Sequence, residues 1–127
     1  MESNVDLIKK FYELFKKGDT QYLQLCDDSI EWVVMQGMPN GGTYVGKKAV
    51  FEDYFPKLFS NFDEFHAITE QFLSAENLVM VMGRYHGITK AGKKFDAPFA
   101  HVYSIENGKI VKFRQYTDTL QINNALK

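Results

Sequence analysis

From Asn61 to Thr117 apolar and polar residues alternate with a period of two, interrupted only at Ala75-Glu76-Asn77, from Thr89 to Lys94, and at Glu106-Asn107-Gly108. A period of two is the signature of strands with one face buried. Breaks this short cannot hold a crossover helix, so consecutive strands must pair as antiparallel hairpins. The pattern predicts strands over about 63–74, 78–88, 95–105 and 109–117, a meander that fills the second half of the chain.

The first half has a different period. Val5, Leu7, Ile8, Phe11, Tyr12, Leu14 and Phe15 recur at helical spacing between Asn4 and Lys17, with Ser3 and Asp6 as a capping pair and Gly18 as the stop. Asp19 caps a short second helix carrying Tyr22, Leu23, Leu25 and Cys26, which the acidic pair Asp27-Asp28 ends. Ser29 to Met35 is rich in β-branched and aromatic residues and reads as a strand, followed by turn residues from Pro39 to Gly42. A helix resumes near Lys47 and should kink or break at Pro56, which has no N–H to bond back to Glu52. Asp118-Thr119 starts a short closing helix through Leu120, Ile122 and Leu126. Helices first and strands afterwards is the α+β ordering. With 127 residues, this is one domain, 1–127.

Composition excludes several partners. Fifteen basic and sixteen acidic residues give a net charge of -1, which offers no field for a phosphate backbone, so no nucleic acid is expected. No apolar run is long enough to span a bilayer, so no membrane is expected either. One cysteine, Cys26, and a start without an apolar leader point to the cytoplasm. On the 78–88 strand Val79, Val81, Gly83 and Tyr85 share one face, and Met80, Met82, Arg84 and His86 share the other. Phe99, His101, Tyr103 and Ile105 form a similar mixed row on the next strand, and such a face suits a homodimer through the outer side of the sheet.

Five segments in order, FYELFKKGD, LCDDSIEW, GTYVGKKAVFEDYF, GRYHG and PFAHVYSIENGKIVKFRQYTDT, resemble the SnoaL-like branch of the nuclear transport factor 2 superfamily over nearly the whole chain. The resemblance implies a cone: a curved antiparallel sheet wrapped around N-terminal helices, with a deep apolar pocket and a dimer made through the outer sheet face. The ketosteroid isomerases of this superfamily use a carboxylate base with a tyrosine and a protonated aspartic acid. The matching positions here are Phe11, Val33 and Ala100, so steroid isomerase chemistry is rejected. SnoaL-like cyclases use an aspartate and a histidine, for which the counterparts are Asp118 and His101.

Four residues are nominated for acid/base chemistry. Glu31 shares a strand face with Val33, and burial there would raise its pKa. Tyr54 matches the tyrosine that supports the isomerases' catalytic tyrosine, and with Phe11 opposite it would have a free hydroxyl. Asp118 serves as acid/base or, by the favoured reading, as a helix cap. His101 lies on the face opposite Ala100 and so falls in the dimer surface unless a bulge reverses the alternation. The pocket lining expected is Phe11, Val33, Tyr85, Asp96, Ala100, Phe113 and Gln115. His66 and His86 fall opposite one another in a tight hairpin, without a third ligand, so no metal is expected. Gly41-Gly42 and Gly92 are turn glycines rather than phosphate loops, and no cofactor is expected. The leading functional reading is a pocket for a small apolar molecule, with cofactor-independent isomerisation, cyclisation or dehydration as its chemistry. The competing reading is a non-catalytic binding or dimeric interaction module.

Overall fold

The computed structural model describes residues 3–127. Helix α1 spans Asn4–Lys17, with the Ser3 side chain accepting the Asp6 N–H and Gly18 closing the end in the left-handed region at φ 71°. A 3₁₀ turn, Thr20–Leu25, leads into β1, Cys26–Val34. The strand starts earlier than its β-branched core suggests, and Asp27-Asp28 lie inside it. A short strand β2, Gly42–Val45, pairs back on β1. It is four residues long, too short for its alternation to stand out.

The expected kink takes an unusual form. Lys48–Tyr54 is π-helical, and the Phe55 N–H reaches the Val50 carbonyl five residues back. The chain then tightens into helix α2, Phe55–Phe59, with Pro56 in its first turn, where a missing N–H leaves no bond unmade.

The meander follows as β3 (Phe62–Ala75), β4 (Leu78–Thr89), β5 (Lys94–Glu106) and β6 (Lys109–Thr117), closed by α3, Thr119–Leu126. All six strands form one curved, open sheet in the order β2-β1-β6-β5-β4-β3. Every pairing is antiparallel except β1 with β6, which is parallel. Alternation encodes which residues face inward but not which way a neighbouring strand runs, so this pairing is invisible in the sequence.

The β3–β4 hairpin carries two bulges, at Asp63 and Glu70. His66 and His86 do pair directly, yet not because the turn is centred on Glu76. The loop is Glu76-Asn77, which sets a register one residue away, and the bulge at Glu70 restores the pairing. On the inner face of β4, Gly83 pairs with Thr69 beside the second bulge and Gly87 pairs with Phe65, two residues from the first. A Cβ on Gly83 would lie 2.1 Å from the Ile68 carbonyl oxygen, and one on Gly87 would lie 2.1 Å from that of Glu64. Here glycine is required by close backbone approach rather than by a turn.

The concave side of the sheet encloses Leu7, Ile8 and Phe11 of α1, which meet Trp32, Tyr103 and Phe113 in one buried cluster. Trp32 stacks on Phe113 with ring centres 3.9 Å apart. No helix among the described residues is long and apolar enough to cross a membrane.

Candidate functional site

The wrapped sheet leaves an internal cavity of about 1070 Å³ between α1, the Tyr54–Phe59 segment and the inner faces of β3 to β6. Phe11, Phe55, Phe65, Phe72 and Phe113 give it aromatic walls, while Lys9, Glu13 and Lys16 stand on exposed turns of α1 at its edge.

One polar cluster interrupts these walls. His101 on β5 is 4% exposed, and its ring stacks on Phe99 at 4.0 Å with Phe113 edge-on at 4.7 Å. Its Nδ1 lies 2.6 Å from the Tyr12 hydroxyl and its Nε2 2.5 Å from that of Tyr85. The Tyr103 hydroxyl donates to Tyr12 at 2.9 Å, and the Gln115 amide donates to Tyr85 at 2.8 Å. The Met35 backbone N–H donates to Gln115 Oε1 at 3.2 Å, which fixes the amide so that its NH₂ faces Tyr85. Burial against apolar rings pushes the His101 pKa down to about 3, so the imidazole is neutral at physiological pH. Burial raises the tyrosine pKa values as well, well above the usual range for Tyr12 and Tyr103. The cluster is therefore uncharged.

Tyr54 is 2% exposed and borders the same cavity, yet its hydroxyl makes no hydrogen bond among the described residues. No side-chain polar atom described is both sealed from solvent and unpartnered, so this hydroxyl keeps some solvent-accessible surface. Burial raises its pKa, which keeps it a donor.

Of the residues nominated from sequence, Phe11, Tyr54, Tyr85, His101, Phe113 and Gln115 border the cavity. The others do not. Glu31 sits on the outer face, with Lys112 Nζ 3.5 Å from its carboxylate, and Val33 points the same way while Trp32 takes the inward position. Ala100 faces outward beside Met82. Asp96 is outside too, where Arg84 Nε donates to it at 2.5 Å and His86 lies 3.6 Å away, contacts that hold its carboxyl below the usual range. Asp118 accepts the Gln121 N–H at 3.2 Å as the cap of α3 and is not in the cavity lining. His101 moves the opposite way, from the supposed dimer face to the interior.

All these displacements on β1 and β5 are one error of parity. The family landmarks put Val33 and Ala100 inside, and a slip of one residue turns over a whole strand. The strands' own alternation carries the right answer: Ile30, Trp32 and Val34 on β1, and Phe95, Ala97, Phe99, Tyr103 and Ile105 on β5, are the bulky apolar sets, and all are buried. His101 lies in that second row. Tyr12 and Tyr103 are not among the nominated residues: Tyr12 belongs to the apolar stripe of α1, and Tyr103 shares with His101 the row assigned to the outer face, which the structure buries.

A curved sheet of six strands wrapped around an N-terminal helix is the α+β cone of the nuclear transport factor 2-like class. The chain is similar over its full length to a nuclear transport factor 2-like protein from Burkholderia thailandensis, with 29% identity, 99% of that chain covered and a TM-score of 0.93. A family model of the SnoaL-like domain matches residues 8–113, and the chain belongs to this family. It is also similar to a nuclear transport factor 2-like protein of unknown function from Burkholderia pseudomallei (23% identity, 100% and 99% coverage, TM-score 0.91). A further similar structure is TerC co-crystallised with polyporic acid (22% identity, 97% of each chain, TM-score 0.88). No curated protein sequence matches the chain.

Proposed function

We propose that the cavity binds a small, flat, mostly apolar molecule carrying an oxygen that can accept a hydrogen bond. The observation that carries this reading is the cavity itself: about 1070 Å³ of space walled by aromatic rings, with a few convergent polar groups in its lining. Aromatic walls favour a planar occupant by stacking and edge contacts. The TerC crystals with polyporic acid lend general support to a small-molecule occupant in this fold.

A second reading adds turnover. The Tyr54 hydroxyl has no acceptor among the described residues and would donate to a carbonyl oxygen, which is how enolate chemistry is assisted without a cofactor. The absence of a carboxylate from the His101 cluster weighs toward binding, since Glu31, Asp96 and Asp118 all lie elsewhere. For the outer sheet face, where Leu73, Met80 and Tyr116 are exposed, we propose a second copy of the chain as the partner.

Binding is tested by titrating aromatic ketones and following Trp32 fluorescence, because Trp32 borders the cavity and is the chain's one tryptophan. Saturable quenching together with a raised Tm is the expected result. A panel of planar ketones that changes neither would refute the binding reading. For bound ketones that carry α-hydrogens, exchange of those hydrogens with D₂O reports turnover and separates the two readings.

A further inference from the structure

The hydrogen bonds around His101 can be counted, and the count does not close. Three links join Tyr103 to Tyr12, Tyr12 to His101, and His101 to Tyr85. Four hydrogens are available for them, one on each tyrosine hydroxyl and one on the neutral imidazole. Gln115 cannot absorb the excess, because its amide is turned by the Met35 N–H to donate into Tyr85. Three links use three hydrogens, so one hydroxyl hydrogen is left without a protein acceptor. Which hydroxyl holds it depends on the ring. If Tyr12 donates to Nδ1, the ring carries its hydrogen on Nε2, donates to Tyr85, and leaves the Tyr85 hydrogen free. If Tyr85 donates to Nε2, the ring hydrogen is on Nδ1 and the free hydrogen moves to Tyr12 or Tyr103. All three tyrosines border the cavity.

We infer that His101 acts as a tautomeric positioning residue: the cluster offers the cavity one excess hydroxyl hydrogen, at Tyr85 or at the Tyr12–Tyr103 end, and thereby selects an aromatic ligand with an acceptor oxygen. This rests on the binding reading and deepens it. Water satisfies the free hydroxyl while the cavity is wet. A hydrocarbon that displaces the water strands it, at the cost of an unpaired buried donor, whereas a carbonyl oxygen of the same outline pairs with it. The oxygen that takes the hydrogen also fixes the tautomer. No charged side chain is bonded to the ring. The groups facing it are Tyr12 from α1, Tyr85 from β4, Tyr103 from its own strand and Gln115 from β6, beside Phe99 and Phe113. Its neutrality, on which the count depends, follows from that setting.

The test uses the full chain carrying His66→Gln and His86→Gln, both at exposed positions, so that ¹⁵N-labelled His101 is the sole histidine signal of the three in the sequence. The probes are 9-fluorenone and fluorene, which share one planar outline and differ by the carbonyl oxygen. Fluorenone should bind about tenfold or more tightly, the cost of one stranded donor. Long-range ¹H–¹⁵N spectra at pH 7 should show a neutral ring whose tautomer ratio shifts when fluorenone saturates the cavity and stays near its starting value with fluorene. Equal affinities, a tautomer ratio unmoved by bound fluorenone, or a doubly protonated ring would overturn the inference while leaving the binding reading in place. If neither compound binds, both fall together.

Discussion

Replacing Gly83 with alanine should destabilise the protein, against what strand propensity says. Gly83 sits in the middle of β4 without a positive φ, so alanine should gain about 0.5–1 kcal/mol from a less flexible unfolded chain. The added methyl has nowhere to go. It would lie 2.1 Å from the Ile68 carbonyl oxygen and 2.7 Å from the tip of the Phe99 ring. The oxygen belongs to backbone held against β4 next to the Glu70 bulge, so it cannot swing aside as a side chain end would. Overpacking of this kind costs roughly 3 kcal/mol, the upper part of the usual range. The net loss is then about 2–2.5 kcal/mol, or a fall in Tm of roughly 6–12 °C for a chain of this length. Urea unfolding and calorimetry on Gly83→Ala measure both. Gly92→Ala is the control: the site is open space, and only the strain of φ +81° opposes it, about 1 kcal/mol. A Gly83→Ala protein as stable as the parent, or more stable, would refute the argument that close backbone approach shapes this wall.

Three further outcomes follow from the structure. The His101 pKa is lowered in the native state, so between about 3 and the unfolded value near 6.5 the unfolded chain binds the extra proton, and stability falls as pH falls through that window. In the His66→Gln, His86→Gln background the loss from pH 7 to pH 5 should be roughly 2 kcal/mol by urea unfolding, and a flat profile would contradict a neutral buried ring. Cys26 is 2% exposed and burial pushes its thiol up to about 12, so iodoacetamide should label it at the rate of unfolding and not before; rapid labelling of the native protein would contradict that burial. Met80→Asp places a charge in the exposed apolar part of the outer face, and light scattering should then drop from twice 14.7 kDa to 14.7 kDa; a parent protein already monomeric would remove the dimer proposal.

What the sequence yields is governed by range. The four long strands, the α1 cap at Ser3 and the Pro56 break depend on neighbours a few residues apart, and each is readable. The parallel β1–β6 contact depends on strands far apart in the chain, and nothing local encodes it; the two β3 bulges lie within one hairpin, but the apolar alternation does not mark where its register slips. The site divides the same way. Tyr85, His101, Phe113 and Gln115 could each be placed by alternation alone, since their strands present one bulky apolar row. The hydrogen-bonded link from Tyr12 to His101 spans 89 residues, so no spacing rule could have paired them. Glu31 misled through its neighbour: it shares a strand face with Val33, which the family landmark put inside, yet both face outward and Lys112 on the neighbouring strand gives the carboxylate a partner at the surface.

The π-helical stretch from Lys48 to Tyr54 has a consequence for how this architecture diversifies. Such a stretch holds one residue more than an α-helix of the same course, and each residue turns a helix by about 100°. Deleting a single amino acid there would let the segment relax to ordinary winding and swing the hydroxyl of Tyr54 to another bearing, with the sheet untouched. The roof of the chamber can therefore be retuned by the loss of a single codon, a far smaller step than rebuilding a wall.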